Sequence, residues 1–216
     1  MIVLNLKTYE RSIDKALFFV DVVSEVVEET GMRIVVCPPS VYLKDAAERY
    51  GEIFAQHCDS DLPGQRTGSL PAELLKKIKV KGSIINHSER KLPLDTVKKT
   101  IERLHDNALE SLVCAASLQE VEKIAHFEPA YIAIEPPELI GSGISVSKAK
   151  PELITESVKR IKNINDKIVP LCGAGVSTKQ DVKRALELGS HGVLLASAFV
   201  NAKDPKEFLQ GLVSVF

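Results

Sequence analysis

Residues 130–143 read Ala130-Tyr131-Ile132-Ala133-Ile134-Glu135-Pro136-Pro137-Glu138-Leu139-Ile140-Gly141-Ser142-Gly143. The apolar half is too short for a helix and nearly unbroken, the pattern of a strand buried on both faces of a parallel sheet. It ends on a carboxylate. Two prolines then fix φ and two glycines release it, so the loop is stiff at its start and free at its end. That combination predicts a hinged lid over Pro136–Ile144, opening from the carboxyl end of a buried strand.

Working outward, seven more runs of the same kind recur: Ile2–Lys7, Arg33–Cys37, Ile53–Cys58, Ser83–His87, Ser111–Ala115, Lys167–Cys172 and Gly192–Ala196. Helix-period segments lie between them. In the clearest, Ile13, Ala16, Leu17, Val20, Val23 and Val27 share one face and Gly31 marks the stop. Leu94, Val97, Ile101, Leu104 and Ala108 form a second, entered at Pro93. Further helix starts are expected at Ser40, Pro71, Ser147 and Ser177. Strict alternation predicts right-handed crossovers and a parallel sheet. Eight units in 216 residues predict an α/β fold: one (β/α)8 barrel domain over 1–216, its eight-stranded parallel sheet closed on itself. An open doubly wound sheet is the alternative, but no GxGxxG follows the first run.

The composition is that of an ordinary globular chain, 44% apolar and 26% charged. A net charge of −1 without long runs of one sign gives no electrostatic reason to expect nucleic acid or a membrane surface as partner. No stretch approaches the ~20 apolar residues that span a bilayer, and Met1–Lys7 lacks the features of a signal peptide. Cys37, Cys58, Cys114 and Cys172 form no CxxC pair and read as buried thiols. The expected location is the cytoplasm.

In such a barrel the chemistry collects at the carboxyl ends of the strands. Run one ends Asn5-Leu6-Lys7, run four Asn86-His87-Ser88-Glu89-Arg90, and run six at Glu135. Period-two geometry places Asn5 and Lys7 on the same, inward face. Taken singly, each charged group has a plain structural reading: a lysine reaching to solvent, a satisfied histidine, a helix-side ion pair. Together at three strand ends they make a candidate site. Gly173-Ala174-Gly175 after run seven and Ala196-Ser197 after run eight expose backbone N–H groups where these barrels recurrently bind phosphate.

Asn5-x-Lys7, Asn86-His87-Ser88-Glu89-Arg90, and Ala133-Ile134-Glu135-Pro136-Pro137 through Gly141-Ser142-Gly143 resemble the triosephosphate isomerase family, in order and over essentially the whole chain. The length, Pro-Pro-Glu-Leu-Ile-Gly-Ser-Gly and Cys-Gly-Ala-Gly-Val-Ser are similar to its short archaeal branch. The resemblance implies a TIM barrel that interconverts dihydroxyacetone phosphate and glyceraldehyde 3-phosphate in glycolysis and gluconeogenesis, with no metal and no organic cofactor. It implies Glu135 as base, His87 as electrophile, and Lys7 with Asn5 on the phosphate and the developing charge. Glu89 would order the electrostatics by pairing with the lysine. Asn5, Leu6 and Lys7 would contact substrate, and Ile140, Gly141, Gly175, Ala196 and Ser197 would line its phosphate. Asp61–Ser69 is similar to the loop that reaches into a neighbouring subunit, which implies a homodimer or homotetramer.

The chain departs from longer members in two places. They carry Pro-Val-Trp in the lid and Tyr-Gly-Gly-Ser after run seven, where this chain has Pro137-Glu138-Leu139 and Cys172-Gly173-Ala174-Gly175. Tyr and Ser hydroxyls therefore cannot latch the lid in the same way. Two other functions compete. A different phosphate-handling barrel, a sugar-phosphate isomerase or lyase, would want other acid–base residues at ends one and six and gives His87 no role. A non-catalytic metabolite-binding barrel leaves base, electrophile, lysine and lid unexplained.

Overall fold

The computed structural model describes residues 1–139 and 145–216. All eight expected runs contain strands: β1 Ile2–Asn5, β2 Ile34–Cys37, β3 Phe54–Ala55, β4 Gly82–Ile85, β5 Glu110–Ala115, β6 Tyr131–Ile134, β7 Val169–Cys172 and β8 Val193–Leu195. Every pairing is parallel, in the order β2-β1-β8-β7-β6-β5-β4-β3. A parallel bridge between Val36 and Ile53, with the Val36 N–H on the Glu52 carbonyl at 3.0 Å, joins β2 to β3 and closes the barrel.

Period two sorts the strands into two cores. Val3, Val35, Phe54, Ile84, Leu112, Ala133, Leu171 and Leu194 fill the interior. Ile2, Leu4, Val36, Ile85, Ile132 and Val193 face outward. The helices cover that outer face: α1 Glu10–Thr30, α2 Leu43–Arg49, α3 Ala72–Lys77, α4 Leu94–Asp106, α5 Leu118–Ala125, α6 Val146–Ala149, α7 Pro151–Ile164, α8 Lys179–Glu187, α9 Ser197–Val200 and α10 Pro205–Val213. The four thiols are free and buried, as the sequence reads.

The local expectations need correction where the backbone leaves regular geometry. In α1, Lys15 has φ −130° and ψ 21°, a break that shifts the buried stripe. Ser12, Ala16, Phe19, Val20, Val22, Val23 and Val26 are inside, while Ile13 is 52% exposed. The stop at Gly31 holds: its φ is +68°, and its N–H meets the Val27 carbonyl at 2.8 Å. Ala108 lies beyond α4, exposed, with φ +57°. Two caps sit beside their expected positions. Ser145 rather than Ser147 caps α6, and Thr178 rather than Ser177 caps α8 in a capping box with Asp181.

Candidate active site

The strand ends converge as the fold requires, through turns rather than extended strand. β1 stops at Asn5, and Leu6 packs fully buried in the outer core. Lys7 then adopts φ +46°, rare for a side chain of its size. Two neighbours hold that turn. The Lys7 N–H donates to Asn5 Oδ1 at 3.0 Å, and Gln56 Nε2 donates to the Lys7 carbonyl at 3.1 Å and the Cys37 carbonyl at 2.9 Å. The inward placement of Lys7 therefore comes from a braced left-handed turn, and not from the strand period.

A second turn aims His87. Ile85 faces outward, so a continued strand would turn residue 87 outward too. Asn86 takes φ +60° instead and ends the alternation. Its amide donates to the Cys114 carbonyl at 2.8 Å and Glu120 Oε1 at 3.0 Å, and its Oδ1 accepts the Leu92 N–H at 3.0 Å. His87 Nδ1 accepts the Glu89 N–H at 3.1 Å, so in the neutral ring the proton sits on Nε2. Burial, with the nearby Lys7 charge, lowers the His87 pKa to about 4.

That Nε2 faces Glu135 Oε2 at 3.7 Å. Glu135 follows β6 on the parity of Tyr131 and Ala133 and is 1% exposed. Burial raises its pKa from 4.5 to about 7, against the opposing pull of the Cys114 thiol and the Lys7 charge. Gly173 makes room for it: a Cβ there would lie 2.5 Å from Glu135 Cγ and 3.1 Å from Oε1. Lys7 Nζ reaches Glu89 Oε1 at 2.6 Å, completing a chain of charge from Lys7 through Glu89 to the His87 loop.

Lys7, His87 and Glu135 line one pocket with Gly173–Ser177 and Leu194–Ala198. Gly175, at φ +68°, and Ala196 and Ser197 are thus on the pocket wall. Leu6 is not. Its side chain is in the core, its N–H donates to the Cys37 carbonyl at 3.0 Å, and its carbonyl accepts Ser12 Oγ at 2.5 Å, so it supports the turn instead of meeting a ligand. Of the expected lid, Pro137–Leu139 form a single 3-10 turn; Ile140 and Gly141 lie outside the described residues.

A buried carboxyl poised near neutrality, a neutral imidazole donor and a lysine fit proton transfer next to a carbonyl. Comparison with known proteins agrees. The family model described as Triosephosphate isomerase matches residues 1–213. A triosephosphate isomerase of Methanothermus fervidus is 42% identical over 216 residues, covering 99% of this chain and 97% of that one. One from Methanobrevibacter smithii is 44% identical with the same coverage of both chains. The chain belongs to the triosephosphate isomerase family.

Its activity is accordingly that of an isomerase. The crystal structure of a triosephosphate isomerase from Bartonella henselae superposes with a TM-score of 0.72 over 96% of both chains, at 21% identity, which supports the barrel fold. Within a triosephosphate isomerase barrel, Gln56 and Glu120 are residues that sequence reasoning passed over, while Asn86 and Gly173 stand in the motifs it quoted but without the aiming and space-making parts they play here. Glu120 is typical of those passed over. It accepts the Ala116 N–H at 2.6 Å and the Asn86 amide, and it pairs with Lys91, yet in the sequence it is one glutamate among many on helix surfaces.

Proposed function

We propose that the Lys7–His87–Glu135 pocket interconverts dihydroxyacetone phosphate and D-glyceraldehyde 3-phosphate through an enediol(ate). Glu135 takes a proton from the carbon beside the carbonyl, and the electron pair left behind forms the carbon–carbon double bond. The carbonyl oxygen meanwhile draws a proton from His87 Nε2–H. Glu135 then returns its proton to the former carbonyl carbon, while the hydroxyl on the adjacent carbon gives its proton back to His87 Nε2 and its oxygen becomes the new carbonyl. A neutral histidine electrophile is the arrangement already known for this family; here it is supported by the Glu89 N–H bond to Nδ1 and the low His87 pKa. Lys7, with Asn5 fixing its turn, faces both the phosphate and the charge that develops on oxygen. Glu89 holds Lys7 and orders the His87 loop. Gly175, Ala196 and Ser197 offer the phosphate a wall of backbone and small side chains.

The carrying observation is the buried Glu135 carboxyl 3.7 Å from His87 Nε2, inside a pocket that Lys7 also lines. The test is a coupled assay with glyceraldehyde 3-phosphate in excess chelator. Isomerisation that survives chelation supports the reading and a metal-free reaction. Turnover of a different sugar phosphate in its place would favour the other barrel chemistries.

The proposal extends to the chain's surroundings: one barrel domain over 1–216, working in glycolysis and gluconeogenesis in the cytoplasm as a homodimer or homotetramer. Among the described residues no helix is long and apolar enough to cross a membrane. The Asp61–Ser69 loop is pinned at its base, where Asp59 pairs with His57 at 2.9 Å and accepts the Leu70 N–H at 2.7 Å. Asp61 ties it internally to Arg66 and Ser69, and Leu62 stands 64% exposed on it. A stiff loop presenting an apolar residue suits insertion into a second copy. Deleting Leu62–Thr67 should weaken association and lower activity together. Sedimentation showing an unchanged oligomer would remove the loop from the interface.

A further inference from the structure

The phosphate side of the pocket is mostly backbone, and a backbone wall keeps its shape only through what ties it down. The Ser177 end of the Gly173–Ser177 wall is tied to one buried anion. Asp181, on the first turn of α8, is 2% exposed. Its Oδ2 accepts the N–H groups of Ser177 at 3.1 Å and Thr178 at 2.9 Å, and the hydroxyls of Ser177 at 3.3 Å and Thr178 at 2.8 Å. Its Oδ1 faces Lys148 Nζ at 2.7 Å. Lys148 belongs to α6, which also meets the wall once and α8 once. The Val146 N–H meets the Ala174 carbonyl at 3.1 Å, and Ser147 Oγ meets the Asp181 carbonyl at 3.4 Å.

A capping box accounts for the reciprocal bonds between Thr178 and Asp181 and for nothing else in this cluster. It does not require a lysine from another element, nor a carboxylate buried so fully. Burial opposes ionisation of Asp181; Lys148, Thr178 and Ser177 outweigh it and hold the carboxyl below its ordinary value. The charge is therefore kept, close to a pocket that must accept an anion. An uncompensated carboxylate there would repel phosphate, and Lys148 cancels it.

We propose that Asp181 and Lys148 are positioning residues that set the pocket's grip on the substrate's phosphate, by clamping α6 to the Gly173–Ser177 wall and keeping the clamp electrically neutral. The clamp stands where the chain lacks the Tyr and Ser hydroxyls of longer family members. The inference rests on the isomerase reading above, because it takes the Gly173–Ser177 wall as the phosphate side.

The test uses the full-length protein and its Lys148→Met, Lys148→Arg, Asp181→Asn and double Lys148→Met/Asp181→Asn variants. Binding of inorganic phosphate is read by calorimetry, and turnover of unphosphorylated glyceraldehyde is measured alongside. Lys148→Met should weaken phosphate binding about tenfold and raise the triose phosphate KM with it, the scale of a lost charged hydrogen bond. Lys148→Arg should restore most of the affinity, since the ion pair needs charge and reach. Within the Asp181→Asn background Lys148→Met should add less than about twofold, because the two residues act as one unit. Turnover of unphosphorylated glyceraldehyde should stay near wild type in the single lysine variants. Unchanged phosphate affinity would overturn the proposal. So would an equal fall in glyceraldehyde turnover, which would mark the pair as general scaffold. If the unmodified protein binds phosphate but does not isomerise triose phosphates, the functional reading fails, and the calorimetry alone decides the clamp.

Discussion

On one side of the pocket Glu135, His87 and Lys7 present ionisable side chains from the ends of β6, β4 and β1; on the other, Gly173–Ser177 and Leu194–Ala198 present backbone and small side chains. The first side does chemistry by residue type. A carboxyl desolvated to a pKa of about 7 and an imidazole held neutral are matched to moving protons at neutral pH. The second side does its work by placement, and almost any small residue would supply the same N–H groups. The two are nevertheless joined at one point, because Gly173 belongs to the phosphate wall while leaving the space that the Glu135 side chain fills.

If that division is correct, losses on the first side are larger and less forgiving. Lys7→Ala should cost about 100-fold or more in kcat/KM, the scale of removing a positioned charge from a developing oxyanion. Lys7→Arg should recover little, because a planar fork does not replace a compact ammonium braced at φ +46°. Steady-state kinetics giving full activity for Lys7→Ala would show that the lysine only reaches to solvent.

Gly173→Ala probes the point of contact. Its Cβ would sit 2.5 Å from Glu135 Cγ, so the carboxylate must move. A displaced base predicts a fall of about 10- to 100-fold in kcat, with inorganic phosphate bound nearly as before. An equal loss of phosphate affinity would instead join the two sides into one structural unit.

The pH dependence sharpens the same contrast. Protonated Glu135 cannot act as base, so kcat/KM should fall about tenfold per pH unit below the pKa of about 7. His87, with its pKa near 4, should add no limb of its own between pH 5 and 8. Phosphate titrates in the same range, so substrate ionisation is measured separately and divided out. A flat profile from pH 5 to 8 would contradict the burial-raised carboxyl.

Legibility in the sequence follows the same line. The barrel was readable because short unbroken apolar runs alternate with helix-period segments, and all eight runs hold strands. Lys7, His87 and Glu135 stand out in the sequence as titratable types at three strand ends, a lysine above all being costly there without a task, whereas the parts given to Asn5 and Glu89 come from the family resemblance. The devices that aim these side chains were not readable. Left-handed turns at Lys7 and Asn86 leave no periodic trace, and the strand reading ran through both. Gln56, Glu120 and Asp181 act through bonds to residues far off in sequence or on separate elements, and each on its own looks like an ordinary solvent-facing side chain. Glu120 and Asp181 carried a local signal, the Ser117-x-x-Glu120 and Thr178-x-x-Asp181 spacings of helix caps, which says nothing of the distant bonds each makes. Leu6 differs in the other direction: the resemblance implies a substrate contact, but the even-numbered parity that β1 sets sends its side chain to the outer core.

The most direct measurement follows hydrogen exchange from D2O into dihydroxyacetone phosphate, for the unmodified protein and Glu135→Gln. The amide keeps the carboxylate's shape, so phosphate affinity from calorimetry should change little while the base is lost. The unmodified protein should place deuterium on the carbon beside the carbonyl during turnover. Glu135→Gln should slow both exchange and isomerisation by at least about 100-fold. Exchange at the unmodified rate in Glu135→Gln would contradict the account, because the proton would then be leaving by way of some other group.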